Sequence, residues 1–207
     1  LAGFCVGVVE RAKVLDGSTI SPGDVVIGVA SSGLHSNGFS LVRKIVFDIA
    51  KLNVGDAVGA GGSPAALATG EPPVATTVGE LLLTPTTLYA RAVRGVLSHY
   101  KVKSVVHGIA HITGGGIFEN LDRILPLGVG VTIDRGSWPM PPVFPWLQKL
   151  GDVEDDEMYR VFNMGIGLAL VVSPYYAESI QQQVAKAGLD SWVIGRAVVG
   201  EQKVAWA

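Results

Sequence analysis

A chain of 207 residues with 16 lysines and arginines against 18 aspartates and glutamates carries a formal charge of −2, too small a field to gather nucleic acid or an anionic membrane. A hydrophobic fraction of 48% and a charged fraction of 16% exclude a disordered chain, and a chain this long buries roughly 70% of its unfolded surface. The single cysteine, Cys5, allows no internal disulfide, which agrees with a reducing compartment and a cytoplasmic location, and no apolar run is long enough to cross a bilayer.

At the start, LAGFCVGVVER alternates Phe4, Val6 and Val8 with Cys5, Gly7 and Val9, which predicts a strand entered midway through a fold. A beginning at Leu1 in place of methionine adds the expectation of more chain upstream. The turn cluster DGSTISPGD leads to VVIGVA, a short buried strand, and then to the polar glycine loop SSGLHSNG. From Asn37 the pattern is helical, with Phe39, Val42, Ile45, Val46 and Ile49 on one stripe. Residues 53–78 are rich in Gly, Ala, Pro and Thr without an apolar period, which predicts a mobile surface insertion. Thr84 before Pro85 predicts a helix start, with the helix reaching about His99. VKSVVHGIA then predicts a strand, HITGGG a tight loop and IFENLDRIL a short amphipathic helix, repeating the order strand, glycine loop, helix. GVGVTID, IGLALVVS, SWVIGRAVVG and KVAWA follow as strands, with helices at VFPWLQKLG, DVEDDEMYRVFN and YYAESIQQQVAKAG. Such alternation predicts a sheet covered by helices.

Three polar segments bear chemistry. In SSGLHSNG, Gly33 and Gly38 permit turns closed to other residues, Ser31, Ser32, Ser36 and Asn37 supply donors, and His35 is placed to hydrogen-bond or relay a proton. A phosphate at the following helix start is one reading and a capped turn is the other. In HITGGGIFEN, Gly114, Gly115 and Gly116 admit close approach to the main chain, with Thr113 and His111 alongside. The segment matches neither the Walker pattern nor the dinucleotide fingerprint. His107 and His111 stand four apart on a strand, and no carboxylate or cysteine completes a metal set with them. His107 reads as an ordinary strand residue. In EDDEMYRVFNMGIG, Glu154, Asp155 and Asp156 suit a helix N-terminus, while Arg160 and Asn163 precede a glycine-flanked strand and either bind a ligand or tie off the helix end. Trp138 among Pro139, Pro141 and Pro142 reads as packing. Neither Ser31 nor Ser36 has a nucleophile-elbow pattern and Asp134 carries no supporting signal, so a covalent hydrolase has no support in the sequence.

Taken in order, GDVVIGVASSGLHSNGFSLVRK, ELLLTPTTLYARAV, HITGGGIFENLDRILP, GSWPMPPVFPWLQ and EMYRVFNMGIG resemble the aminoimidazole ribonucleotide synthetase family, in its C-terminal portion, over nearly the whole chain. That resemblance implies an α+β fold, a layered sheet flanked by helices. Residues 1–15 become the tail strand of an N-terminal ATP-binding domain and residues 16–207 a C-terminal, substrate-side domain. The implied reaction is ATP-dependent ring closure of formylglycinamidine ribonucleotide, a cyclo-ligase step of purine biosynthesis giving ADP and phosphate. ATP and Mg2+ are expected to bind mainly through the N-terminal domain, no metal ligand is expected on this chain, and a homodimer is expected, with neither nucleic acid nor membrane as partner. By the same resemblance Ser32, Ser36, Asn37, Thr113, Gly114, Gly115, Gly116, Arg160 and Asn163 bind substrate, and His35 and His111 are the catalytic candidates. A domain serving chiefly assembly is the competing reading from another class; a sister enzyme such as formylglycinamidine synthase or selenophosphate synthetase is a third.

Overall fold

The computed structural model describes residues 3–58, 76–100 and 103–207. They form β1 (Val25–Ala30), α1 (Phe39–Arg43) continuing into a π-turn at Lys44–Ile49, the paired short strands β2 (Ala57–Val58) and β3 (Thr76–Thr77), α2 (Val78–Leu82) and α3 (Ala90–His99). Next come β4 (Val106–His111), α4 (Gly116–Asp122), β5 (Val129–Ile133), α5 (Val143–Gly151), α6 (Asp155–Val161), β6 (Ile166–Val172), α7 (Ala177–Lys186), β7 (Ser191–Val199) and β8 (Val204–Trp206).

An apolar run without alternation must be covered on both faces, and β6 is buried at all seven positions. It lies second in a six-stranded sheet ordered β4-β6-β1-β7-β5-β8, antiparallel to β4 on one side and to β1 on the other; only β5 and β8 pair in parallel. One face packs Ala169 and Val171 of β6 with Ile117 and Leu121 of α4. The other packs Leu168 and Leu170 with Val96 of α3 and Ile180 and Val184 of α7. Beside the sheet, α1, α2, α5 and α6 enclose a further core around Val42, Ile45, Phe144, Leu147, Met158 and Phe162. The expected α+β fold, a sheet layered with helices, is therefore what the chain forms.

Several expectations are corrected. Residues 3–10 form no strand: Phe4, Val6 and Val8 are exposed, and no described strand offers them a ladder. Alternation makes a strand only where an edge accepts its hydrogen bonds. Thr84 does not begin the helix that reaches His99; α3 begins at Ala90. Its hydroxyl donates instead to the carbonyls of Glu80 and Leu81, at 3.3 and 3.0 Å, and so closes the end of α2. The threonine cap lies earlier and belongs to α2, at a capping box in which Thr77 Oγ1 accepts from the Glu80 N–H and Glu80 Oε2 accepts from the Thr77 N–H. Ile49 leaves the stripe and is exposed, because the π-turn adds a residue per turn and rotates the pattern. Of the segment 53–78 expected to be an insertion, residues 59–75 lie outside the described residues, while its ends hold β2, β3 and the Thr77 cap.

Candidate functional site

Sheet order brings the polar segments together. β1 and β4 run parallel on either side of β6, so the loops that follow them leave the same edge of the sheet, where β6 begins. Their first residues are pinned to that beginning: Ser31 N–H donates to the Gly165 carbonyl at 2.8 Å and Ile112 N–H to the Gly167 carbonyl at 3.0 Å. SSGLHSNG, HITGGG and MGIG thus meet at one place.

Asn163 fastens the first loop to the third. Fully buried, it donates through Nδ2 to the Gly33 carbonyl at 2.8 Å, while Oδ1 accepts from Ser31 Oγ at 2.9 Å and from the Gly165 N–H at 2.8 Å. Asn120 plays the corresponding part in the second loop, where its Nδ2 reaches the carbonyls of Thr113, Gly114 and Gly116 and its Oδ1 accepts from Thr113 Oγ1. A buried asparagine whose amide is fully engaged holds backbone in place. Gly116, at φ 61°, lies so close to α6 that a Cβ there would overlap the Tyr159 carbonyl oxygen, and at Gly115 a Cβ would meet the Glu119 side chain. Only Gly114 of the three glycines faces open space.

His35 is 4% exposed at φ 55°, a left-handed conformation uncommon outside glycine. Its Nε2 accepts from the N–H groups of Ser32 at 3.2 Å and Thr87 at 3.4 Å, and its Nδ1 is buried without a partner. Burial foremost, and then His111, push its pKa down to about 4, so the ring is neutral at neutral pH. Tyr89 stands between the two histidines, its ring centroid 6.1 Å from that of His35 and 6.0 Å from that of His111. Its hydroxyl donates to the Ala30 carbonyl at 2.7 Å, and burial raises its pKa to about 12. The close approach of Tyr89 and His35 to β6 requires Gly167, where a Cβ would overlap the tyrosine hydroxyl.

The other predicted residues are distributed unevenly. Ser32 is half-buried and donates to the Pro85 carbonyl at 2.6 Å; Ser36 is exposed, 3.5 Å from Thr86 Oγ1. Asn37 and Thr113 are half-buried, and His111 and Gly114 are exposed at the same sheet edge. Arg160 is exposed and forms a two-point pair with Glu157 one turn back, at 2.7 Å for both bonds, and none of its hydrogen bonds reaches either loop. Trp138 is packed, with its indole N–H donating to the Met164 carbonyl at 2.9 Å. His107 is more than an ordinary strand residue, because its half-buried ring places Nδ1 2.7 Å from Oδ2 of the buried Asp24 at the far end of the sheet. Sequence reasoning missed Asn120, Tyr89, Thr87 and Gly167. For Gly167 a signal was present, since a glycine inside a strand marks close approach by another group.

Among the described residues no three His, Cys, Asp or Glu side chains gather into a cation site, and no helix is long and apolar enough to cross a membrane.

A mixed sheet that delivers two glycine loops to the start of one strand, with polar groups around the junction, defines an α+β domain of layered sheet and helices. The chain belongs to the family described as AIR synthase related protein, C-terminal domain, which matches residues 21–207. Over 204 residues it is 48% identical to the phosphoribosylformylglycinamidine cyclo-ligase of Pseudothermotoga lettingae, covering 99% of this chain and 55% of that protein. The protein of the same name from Geobacillus thermodenitrificans is 46% identical over 200 residues, 97% of this chain and 53% of its own length. The chain thus spans about half the length of these relatives. In fold it is similar to a thiamine-monophosphate kinase from Stenotrophomonas maltophilia, with a TM-score of 0.58, 17% identity and coverage of 96% of this chain and 54% of the other. E. coli HypE, a hydrogenase maturation protein, gives a TM-score of 0.54 at 16% identity, with coverage of 97% and 51%.

Proposed function

We propose that this chain supplies the substrate-side loops of an ATP-dependent cyclo-ligase that closes formylglycinamidine ribonucleotide to aminoimidazole ribonucleotide in purine biosynthesis, releasing ADP and phosphate. The observation that carries the reading is the meeting of SSGLHSNG and HITGGG on the beginning of β6, in a chain whose relatives bear the cyclo-ligase name.

Ring closure of this kind depends on positioning and on fixed donors more than on covalent help from the protein. The Ser36 hydroxyl, the Asn37 amide and the main chain at Gly114 are the donors left at the junction, while the Ser32 and Thr113 hydroxyls, which donate to the Pro85 carbonyl and to Asn120 Oδ1, keep lone pairs with which to accept. Gly115 and Gly116 let the second loop turn beneath them, and Asn163 braces the first. His111, exposed beside them, is the imidazole best placed to meet the amidine. Arg160, held by its own helix, is the weakest member of the set.

Bound ATP supplies the phosphoryl group that activates the formyl oxygen. Because this chain spans about half the length of its relatives and matches a C-terminal domain, we assign ATP and Mg2+ mainly to the part that precedes it in them. Residues 1–15, whose described part pairs with no described strand of this chain, then serve as the tail of that part and take up a strand only against it, a role suited to the exposed apolar alternation of Phe4, Val6 and Val8. The enzyme acts in the cytoplasm as a homodimer.

ATP-dependent cyclisation by the full-length protein and by the 207-residue chain tests this partition. Turnover is expected only from the full-length protein; turnover by the chain alone removes the division of labour, and none from either removes the function.

A further inference from the structure

Backbone N–H groups can only donate. The ring nitrogen that receives those of Ser32 and Thr87 therefore carries no proton, and a neutral imidazole must keep its proton on Nδ1. Turning the ring over would present a C–H to both amides and strand two donors. Protonating Nε2 would set N–H against N–H and open the same contacts.

From this geometry we infer that His35 is a positioning residue locked as the neutral Nδ1–H tautomer, that it latches the segment 84–89 over the Ser31–Asn37 loop, and that it is not the proton carrier of the site. The inference rests on the substrate site proposed above. Further contacts reinforce the latch: Ser32 Oγ to the Pro85 carbonyl at 2.6 Å, Ser36 Oγ near Thr86 Oγ1 at 3.5 Å, and Tyr89 hydroxyl to the Ala30 carbonyl at 2.7 Å. Thr87 and Tyr89 thereby join the site as positioning residues. A proton carrier must present its nitrogen to substrate or solvent, yet Nδ1 is sealed and Nε2 is occupied. The titratable groups facing His35 are Tyr89 and His111, and the depressed pKa of His35 agrees with a ring that stays neutral.

The test compares His35→Gln with His35→Ala in the full-length protein. Glutamine offers an acceptor near the place of Nε2 but carries no proton. A latch predicts that His35→Gln keeps kcat within about tenfold, raises KM, and retains the wild-type pH profile, whereas His35→Ala loses more. A proton carrier predicts that both lose a factor on the order of 10² to 10⁴ and that one limb of the profile disappears, which overturns the inference. 15N NMR of the histidine-labelled wild-type protein gives an answer independent of how the variants fold. A protonated Nδ1 with a bare Nε2 near neutral pH is expected for His35, and the opposite tautomer or a charged ring overturns it. That spectrum needs no substrate. Lack of cyclisation by the wild-type protein would therefore sink the proposed function while leaving the latch standing.

Discussion

Replacing Asn163 with alanine removes three hydrogen bonds from a fully buried amide, those with the Gly33 carbonyl, Ser31 Oγ and the Gly165 N–H. Each bond contributes about 1 kcal/mol net, and a buried donor or acceptor left behind costs about 1–3 kcal/mol. Gly33 and Gly165 are both buried, so little solvent reaches the stranded groups. Allowing for overlap between these costs, the loss should be about 4 kcal/mol, a large part of the 5–15 kcal/mol typical of a folded domain. In urea unfolding followed by tryptophan fluorescence, a slope of about 2 kcal/mol per molar converts this to a midpoint lower by about 2 M. Asn163→Asp is the discriminating partner. It preserves shape and the Oδ1 contacts but turns a carboxylate oxygen toward the Gly33 carbonyl, acceptor against acceptor, and should cost at least as much. If Asn163 merely filled space, the aspartate would be tolerated. Losses below about 1 kcal/mol for both variants would refute the clasp.

Two further outcomes follow from the same geometry. Gly116→Ala should destabilise by about 3 kcal/mol or more, because its Cβ meets the Tyr159 carbonyl and its φ is 61°, whereas Gly114→Ala, facing open space, should change the unfolding midpoint little; equal effects would mean that α4 does not pack on α6 as described. For His35, a folded pKa of about 4 against an ordinary 6.5 means the unfolded chain takes the proton first as pH falls. Stability attributable to this ring is complete above pH 6.5 and declines by roughly 3 kcal/mol as pH falls to about 4. The difference in pH dependence between wild type and His35→Gln in equilibrium unfolding measures this, and identical curves would contradict the burial of the ring.

Strands were the most legible part of the fold. VVIGVA and IGLALVV are continuous apolar runs, and a run with no polar face has few places to go except the middle of a covered sheet. Thr84 shows where local signals fail. A threonine hydroxyl before proline satisfies the code for beginning a helix, but the same hydroxyl can close the preceding one, and which occurs depends on whether Glu80 and Leu81 have already formed a turn behind it. The π-turn at Lys44–Ile49 is likewise silent in the sequence, since the stripe through Val42, Ile45 and Val46 suits an ordinary helix until Ile49 falls outside it.

The candidate site was legible as three polar segments and illegible as one place. Nothing local to SSGLHSNG or HITGGG states that β1 and β4 flank β6; that follows from long-range pairing, which local sequence does not encode. The roles within the loops changed for a related reason. His35 attracts a proton-transfer role because histidine is versatile, but under the latch inferred above its neighbours narrow that versatility: two backbone donors claim one nitrogen, and the other is buried without a partner. Gly115 and Gly116 invited the idea of a ligand pressed against bare main chain, yet it is Glu119 and Tyr159 that do the pressing. Asn120, read as one polar position on a short helix, holds the carbonyls that give the second loop its shape. A residue's capacity is written in its chemistry; which part of that capacity remains free for a ligand is decided by what the fold has already used. On that reasoning the proposed substrate contacts fall first to the groups with the least internal employment, at Ser36, Asn37, His111 and Gly114.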